Sequence, residues 1–156
     1  KSGNSICYRF ATAFGMSPRM RLDLMVNDFC YKAAIDKNLI VYEASFKRTF
    51  IHVRDIAKSF IFAINNYEKM VNEVYNVGSD NMNYTKKEIC EMIKSKIEYY
   101  LHFAEFASDE DKRNYEVDYS KIKNVGYKTS ITVDEGVDEL IKYMTAFNTP
   151  NPYANV

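Results

Sequence analysis

The chain has 156 residues, of which 47% are apolar and 27% are charged; this balance is typical of a folded domain and excludes a disordered segment. Basic and acidic side chains number 21 each, so no net charge attracts nucleic acid or an acidic membrane surface. No apolar run approaches the ~20 residues of a membrane span, and no signal peptide is recognisable.

The first half predicts two strand–helix units. Residues 5–14 form an almost continuous apolar run, SICYRFATAF, which is typical of a strand buried on both faces of a parallel sheet. Asp23 is placed to cap a helix that reaches about Lys37, with apolar residues on one face. The segments LIVYE and RTFIHV predict two short strands separated by a turn, and Asp55 is expected to cap a second helix.

The second half predicts a further strand and two more helices. The segment EVYNVG is typical of a short strand that ends at Gly78. Thr85 with Glu88, and Thr132 with Glu135, are capping-box pairs ahead of amphipathic apolar patterns. Helices that alternate with short strands predict the α/β class, mixed rather than purely doubly wound.

The cysteines are Cys7, Cys30 and Cys90. They form neither a Cys-x-x-Cys pair nor a cluster with histidine, so no metal site is expected. Each lies in a segment predicted to be a buried strand or helix. We therefore expect structural thiols in a reduced, cytoplasmic protein.

Four segments in order carry a resemblance to a known family. They are YRFATAFG (Tyr8–Gly15), RTFIHVRDIA (Arg48–Ala57), VYNVG (Val74–Gly78) and DKRNYEVDYSKIKNVGY (Asp111–Tyr127). Together they resemble the C-terminal half of the extended short-chain dehydrogenase/reductases, the NAD-dependent nucleotide-sugar epimerases and dehydratases. Each segment is a weak signal alone, and their order and spacing make the likeness specific.

The resemblance implies the C-terminal part of a Rossmann-type NAD(P)-binding fold plus a small mixed α/β substrate-binding domain. Residues 1–147 would form this portion, with a polar tail at 148–156. The family's glycine-rich phosphate loop and its Tyr-x-x-x-Lys catalytic pair precede the strand at which this chain begins, with Lys1 rather than Met. We therefore expect a portion of a longer protein, with no catalytic residue and no activity alone.

Arg48 is the strongest candidate for binding substrate. A guanidinium grips a diphosphate through two hydrogen bonds, and the resemblance implies this role for Arg48; the alternative is a surface arginine on a strand. The family's next residue, aspartate, is Thr49 here. His52 and Asp55 are expected to be structural, as a packed core histidine and a helix cap.

Residues of the first strand are further candidates. Thr12 matches a family asparagine that reaches the substrate's phosphates or sugar, and its shorter hydroxyl would act through a bridging water. Phe10 and Ala13 match positions beside the nicotinamide ring of the cofactor. Ordinary core packing is an equal alternative for all three.

Other substrate contacts follow from the resemblance on separate segments. Asp23 and Leu24 correspond to a helix start that meets the nucleotide of the substrate. Because the Asp23 carboxylate would repel a phosphate, it is expected either to cap the helix or to accept a hydrogen bond from a hydroxyl group. Tyr42 stands where the family packs a residue on the base, and the family's following glycine is Glu43 here.

Asp111 and Arg113 lie where the family contacts the ribose and the phosphates. A carboxylate accepts hydrogen bonds from ribose hydroxyls, and a guanidinium pairs with the anion. The alternative for both is a solvated charge cluster, because the surrounding run SDEDK is strongly charged.

The resemblance implies the substrate-binding half of an NAD(P)-dependent nucleotide-sugar epimerase or 4,6-dehydratase that works through a 4-keto-sugar intermediate. The implied partners are a nucleotide-diphosphate sugar, NAD or NADP bound mostly by the missing N-terminal half, and a second copy, because dimers are common in the family. The alternatives are a reductase of the same family and a non-catalytic binding or scaffold member that kept the fold.

Overall fold

The computed structural model describes residues 3–105 and 113–147. Within these residues, short strands alternate with helices, as the sequence predicts. The strands are β1 (Cys7–Phe10), β2 (Thr12–Phe14), β3 (Asn38–Tyr42), β4 (Lys47–His52), β5 (Val74–Val77), β6 (Asn83–Thr85) and β7 (Tyr100–Ala104). The α-helices are α1 (Met25–Tyr31), α2 (Val53–Asn65), α3 (Tyr67–Met70), α4 (Lys86–Lys94), α5 (Ser120–Asn124) and α6 (Val133–Ala146).

The strands form small, mostly parallel ladders. β1 pairs with β5, β2 with β4, and β3 with β7, all in parallel. Each of these pairs is joined by a long connection that includes a helix, as parallel pairing requires. β6 runs antiparallel on β4, with Arg48 opposite Tyr84, and α4 begins directly after it. The mixed α/β class is confirmed.

Strand β4 divides the apolar core because side chains alternate between the two faces of a strand. Phe50 points into a cluster with α1, α4 and α6, whereas Ile51 points into a second cluster beside β5 and α5. The alternation also places Arg48 on the face of Phe50, and it places Thr49 on the face of Ile51. The first cluster includes Phe14, Leu22, Val26, Leu39, Ile89, Ile93, Val137 and Leu140. The second includes Met70, Tyr75, Val77, Tyr119, Ile122 and Tyr127.

The predicted strand at residues 5–14 is two strands that change partner at Ala11. Its first part pairs with β5 and its second part with β4, while the Ala11 amide still donates to the Val77 carbonyl at 3.0 Å. Burial on both faces is wrong for β1, in which Cys7, Arg9 and Phe10 are exposed. Apolar side chains indicate that a strand face can be buried, but they do not show which part of a protein buries it. The described residues cover only one side of β1.

Two predicted helix caps are wrong. Leu24, not Asp23, precedes α1, and no side chain caps that helix; Asp23 instead bonds to Arg21. His52 caps α2, where its Nδ1 accepts from the Arg54 amide at 3.2 Å. Asp55 lies in the first turn of α2 and accepts from the amides of a distant loop. Strands β6 and β7 and helices α3 and α5 were not predicted from the sequence.

The capping boxes at Thr85 and Thr132 are confirmed. In each, the threonine hydroxyl accepts from the amide of the glutamate three residues later, and that carboxylate accepts from the threonine amide. These contacts satisfy orphan amide donors at the starts of α4 and α6. They fix the first residue of α4, Lys86, next to strand β6.

An apolar strip remains exposed beside β1. Phe10, Phe60, Ile64 and Val74 are between 38% and 75% exposed. Tyr8, Phe10 and Phe60 pack together, with ring centroids 5.5–5.7 Å apart. The three packed rings thus join β1 to α2, whereas Val74 pairs with Cys7 and lies on the other face of the β1–β5 ladder.

Two of the cysteines lie in the core as expected. Cys30 and Cys90 are fully buried, and burial raises the pKa of both thiols, so neither is an activated nucleophile. Cys7 is exposed on β1, which contradicts the expected burial. None of the helices within residues 3–105 and 113–147 combines the length and the apolar character needed to cross a membrane.

Candidate functional site

A cleft of about 270 Å³ lies where β2, β4, α1 and α4 converge. It brings together five residues that were predicted from distant parts of the sequence. These are Thr12, Asp23, Leu24, Arg48 and Arg113. The other lining residues are Met25, Asp28, Phe29, Phe50 and Lys86. The lining therefore combines three cations, two carboxylates and apolar side chains.

Arg48 is held in a fixed orientation at the cleft. Arg48 is only 4% exposed, because its side chain lies on the same face of β4 as the buried Phe50. Its Nη1 donates to the Lys47 carbonyl at 2.9 Å, and its guanidinium carbon lies 5.7 Å from the centre of the Tyr115 ring. The predicted alternative of a surface arginine is therefore wrong. A guanidinium fixed in this way needs little reorganisation to receive an anion.

Lys86 lines the same cleft, and sequence reasoning missed it. It is 2% exposed, its Nζ donates to the Tyr42 carbonyl at 3.0 Å, and it lies 5.8 Å from the centre of the Phe46 ring. A signal was available, since a lysine directly after a helix cap opposes the positive end of the helix dipole. Because Lys87 follows directly, however, the two lysines resemble an ordinary solvent-exposed pair in the sequence.

The carboxylates of the cleft have cationic partners outside it. Hydrogen bonding to Arg21 lowers the pKa of Asp23, and its Oδ1 accepts from the Arg21 Nε at 3.0 Å. Burial raises the pKa of Asp28, although Lys32 lies 2.8 Å away and opposes the shift. Sequence reasoning did not include Asp28. These groups can accept hydrogen bonds from hydroxyls of a ligand.

The remaining predicted substrate residues lie differently. Thr12 stands in β2 opposite Phe50 and lines the cleft. The Tyr42 ring does not line it; this residue contributes through its backbone carbonyl, which holds Lys86. Asp111 lies outside the described residues. Arg113 lines the cleft from the segment that follows the undescribed residues.

The residues expected to face a nicotinamide cofactor lie away from the cleft. Phe10 packs on Phe60 of α2, with ring centroids 5.7 Å apart, and Ala13 is half-buried in β2 opposite Ile51. They offer an apolar edge, but they bring no buried polar atom that would hold phosphates or ribose. These two residues could therefore offer a cofactor apolar contact alone.

His52 is a buried structural residue rather than an acid–base group. It is 0% exposed, its Nδ1 is engaged at the start of α2, and its ring packs edge-on against Phe14, with centroids 5.3 Å apart. Burial lowers its pKa, against the opposing effect of Glu139, whose Oε2 lies 3.5 Å from the His52 Nε2. The neutral imidazole is therefore the form that the fold favours.

A second cavity of about 390 Å³ lies between the loop after β5 and residues 127–133. Tyr119 and Lys123 line it with the spacing of the family's catalytic pair. The Tyr119 hydroxyl, however, lies 2.5 Å from the Thr49 Oγ1, and burial raises the pKa of Tyr119 to about 12. A proton acceptor needs a lowered pKa, so this tyrosine belongs to the core.

Glu43 carries a strained backbone beside the Lys86 contact. Its φ is +51°, in the left-handed region where the family has glycine, and its buried Oε2 has no hydrogen-bond partner among the described residues. Glu43→Gly is expected to raise the free energy of unfolding by about 1 kcal/mol, because it removes both costs. Urea unfolding would measure the gain. Glu43→Gln keeps the strained backbone, and a similar gain in that variant would contradict the backbone explanation.

Comparison with known proteins gives matches at the levels of family and sequence. Residues 2–78 match the model of the NAD dependent epimerase/dehydratase family. Over 97 residues, or 62% of this chain, the sequence is 32% identical to Probable GDP-L-fucose synthase 1 of Oryza sativa subsp. japonica. The match covers 29% of that protein, so the chain corresponds to only part of its curated relative.

Solved structures share the fold over most of the chain. UDP-N-acetylglucosamine 4-epimerase from Bacillus cereus is 26% identical with a TM-score of 0.71, over 88% of this chain and 47% of that one. UDP-glucose 4-epimerase from Thermotoga maritima is 19% identical with a TM-score of 0.73, over 87% of this chain and 44% of that one. At this level of identity, the likeness shows the fold alone. The chain thus spans less than half the length of these enzymes. The first half of the chain thus matches the NAD dependent epimerase/dehydratase family, and the curated relative and the shared fold agree with that match.

Proposed function

We propose that the chain is the substrate-binding part of an NAD(P)-dependent nucleotide-sugar epimerase or 4,6-dehydratase that works through a 4-keto-sugar intermediate. The family match of residues 2–78 supports the class of enzyme, and the cleft supports the class of ligand. The position of Arg48 is the observation that carries the proposal. A buried, oriented guanidinium in a small cleft suits an anion with planar oxygen geometry, such as a diphosphate.

The cleft suggests how the substrate would be held. Arg48 and Arg113 would bind the two phosphate groups, and Thr12 would reach them directly or through water. Leu24 would contribute apolar contact to the nucleoside, and Asp23 would accept from a hydroxyl group. The stacking role expected for Tyr42 and the ribose contact expected for Asp111 remain predictions. Binding of the remote nucleotide would position the reacting sugar.

The cofactor and the catalytic groups would come mainly from another part of the protein. A nicotinamide cofactor supplies reversible hydride transfer when it is bound, and this chain would add only the apolar edge formed by Phe10 and Ala13. Residues 1–147 would then be the C-terminal portion of the enzyme, with 148–156 as a tail. The exposed strip beside β1 would be covered by the N-terminal half of the Rossmann fold, since contiguous apolar surface of this kind marks an interface.

Removal of the Arg48 guanidinium tests the proposal. In the full-length protein, Arg48→Ala is expected to weaken the binding of nucleotide-diphosphate sugars by roughly ten- to a hundred-fold, because a charge-assisted bidentate contact is lost. Calorimetric titration with UDP-, GDP-, CDP- and TDP-sugars would measure the affinities. Arg54→Ala is the matched control, because Arg54 is exposed, pairs with Glu139 and lies outside the cleft.

Two results would overturn the proposal. In one, the wild-type protein binds none of these sugars. In the other, Arg48→Ala binds its preferred sugar as tightly as the wild type does. Arg48→Lys should give an intermediate affinity, since it keeps the charge and loses the planar fork.

A non-catalytic binding member of the family is the second candidate. The family's aspartate after the arginine is Thr49 here, and its hydroxyl is engaged in the core with Tyr119. Such a member would bind the nucleotide sugar with the same dependence on Arg48 and would leave it chemically unchanged. Product analysis after incubation with NAD or NADP separates the two candidates.

A further inference from the structure

Asn27 is a buried polar residue of helix α1. It is 2% exposed, and it stands among the residues that α1 contributes to the first core cluster, Val26 and Cys30. Asparagine is a poor helix former, and a buried amide group destabilises a fold unless it is hydrogen-bonded. Packing of α1 alone would favour an apolar side chain at this position, so the amide itself needs an explanation.

The Asn27 side chain holds both ends of one loop. Its Oδ1 accepts from the amide of Gly15, directly after β2, at 3.0 Å, and its Nδ2 donates to the Arg21 carbonyl at 2.9 Å. Residues 15–21 are thereby closed onto α1 by a single side chain. An amide suits this task because it carries an acceptor and a donor side by side.

Both ends of the loop also rest on the core. Gly15 has a φ of +111°, and an added Cβ there would stand 2.3 Å from the Nε2 of His52, so Gly15 packs directly on the buried imidazole. At the other end, Leu22 is 1% exposed and belongs to the first core cluster. Asn27 therefore connects two fixed points of the structure.

The loop leads directly into the cleft. Arg21, whose carbonyl Asn27 holds, donates from its Nε to the Oδ1 of Asp23 at 3.0 Å. Asp23 and Leu24 line the cleft. The side chain of Asp23 is half-exposed, so its orientation depends on Arg21 more than on core packing.

We infer that Asn27 is a positioning residue that sets Asp23, through Arg21, for a hydroxyl group of the nucleotide sugar. The inference rests on the proposed function of the cleft. Arg48, the proposed phosphate ligand, is held by contacts outside the loop 15–21. Asn27 should therefore affect the binding of the nucleoside and sugar groups and leave the binding of the diphosphate group unchanged.

Asn27→Leu tests the inference, because leucine keeps the branched shape of asparagine and has no hydrogen-bonding group. The full-length protein would be titrated with the nucleotide sugar that the wild type prefers and with inorganic pyrophosphate. The variant should bind the nucleotide sugar roughly ten-fold more weakly and pyrophosphate within about twofold of the wild type. A general loosening of the cleft would weaken both ligands alike, which would contradict the inference.

A second substitution shows whether Asn27 acts through Asp23. In an Asp23→Ala background, Asn27→Leu should change the affinity for the nucleotide sugar by less than about twofold, because the group that it positions is gone. The same roughly ten-fold loss in both backgrounds would refute the inference.

Asn66→Leu is the matched control. Asn66 donates from its side chain to the Phe62 carbonyl at 2.9 Å, and it lies at the end of α2, outside the cleft. The substitution removes a side-chain amide of the same kind, so it should leave both affinities as in the wild type. A selective loss of nucleotide-sugar binding in this variant would show that the effect does not depend on the loop.

The outcomes also separate this inference from the proposed function. If Arg48→Ala weakens the binding of both ligands and Asn27→Leu keeps the wild-type ratio of the two affinities, the role of Asn27 is refuted and the proposed function stands. If the wild type binds no nucleotide sugar, both are refuted.

If Asn27→Leu does not fold, hydrogen exchange of the Gly15 amide in the wild type decides. Coupling between two sites is reciprocal, so a nucleotide sugar held by Asp23 should slow this exchange more than pyrophosphate does. The two ligands would be compared at the same multiple of their dissociation constants, where stabilisation by binding in general is equal. Equal slowing by both ligands would refute the inference.

Discussion

Gly136→Ala is expected to lower the free energy of unfolding by about 2–4 kcal/mol. An added Cβ would stand 2.3 Å from Cε2 of Phe14 and 3.0 Å from Cδ2 of His52. Phe14 is 1% exposed and packs edge-on against the rings of Phe50 and His52, so it has no space into which to move. Alanine would improve helix propensity by ~1 kcal/mol, which is too little to offset the clash.

Urea unfolding would measure the loss in Gly136→Ala, and amide hydrogen exchange in α6 would show whether the helix loosens locally. Gly3→Ala is the control, since a Cβ there would have no atom within 4 Å. A Gly136→Ala variant as stable as the wild type would show that β2 and α6 can separate without cost, contrary to the close packing described above.

Asp55→Asn is expected to cost about 2–4 kcal/mol of folding free energy. The buried Asp55 carboxylate accepts from the amides of Ser130 and Ile131 at 2.9 and 3.0 Å and from the Ser130 hydroxyl at 2.7 Å. An asparagine would present an N–H group to donors at one of these positions. The loop that leads into α6 would then lose its anchor on α2.

The pH dependence of stability provides a second measurement for Asp55. Burial alone would raise the pKa of Asp55, but the hydrogen bonds from Ser130 and Ile131 outweigh it and lower the pKa. A carboxyl group with a lowered pKa stabilises the fold above its unfolded-state pKa of about 3.9, and this stabilisation disappears as the pH falls through the folded-state value. The difference between wild type and Asp55→Asn should therefore shrink at acid pH.

Asp118→Asn is the matched control for Asp55→Asn. Asp118 also accepts from a backbone amide, that of Ser120, at 2.8 Å, but it is exposed to solvent. Water can replace its lost hydrogen bonds, so its substitution should change stability far less. Equal losses in the two variants would contradict the view that burial makes the Asp55 contacts strong.

Features that depend on neighbours in sequence were predictable. The capping boxes at Thr85 and Thr132 are formed by residues three positions apart, so their spacing alone determines them. The strands RTFIHV and EVYNVG also appear where their apolar patterns place them. The cap expected at Asp23 failed because Arg21 offers it a nearer, oppositely charged partner. The role of Asp55 was hidden because its partners lie in a loop far along the chain.

The candidate site was predictable only in part. Arg48 stands in the recognisable motif RTFIHV, on a strand that ends at the buried His52. A guanidinium has few possible roles in such a place. Lys86 stands in a plain helix start, TKKEIC, where nothing local distinguishes it from Lys87. The two differ in orientation, which is set by the packing of α4 against α1, α6 and β6 rather than by any residue type. Sequence patterns thus identify the chemistry of a site more easily than its complete set of members.

The parallel ladders also constrain how this chain reaches its native state. Cys7 is opposite Val74, and Asn38 is opposite Tyr100, so roughly sixty residues must be looped before either ladder can start. Closure of such loops costs entropy before any contact repays it, and chains dominated by distant pairings fold slowly. The capping boxes that start α4 and α6, by contrast, join residues three positions apart and need no such closure.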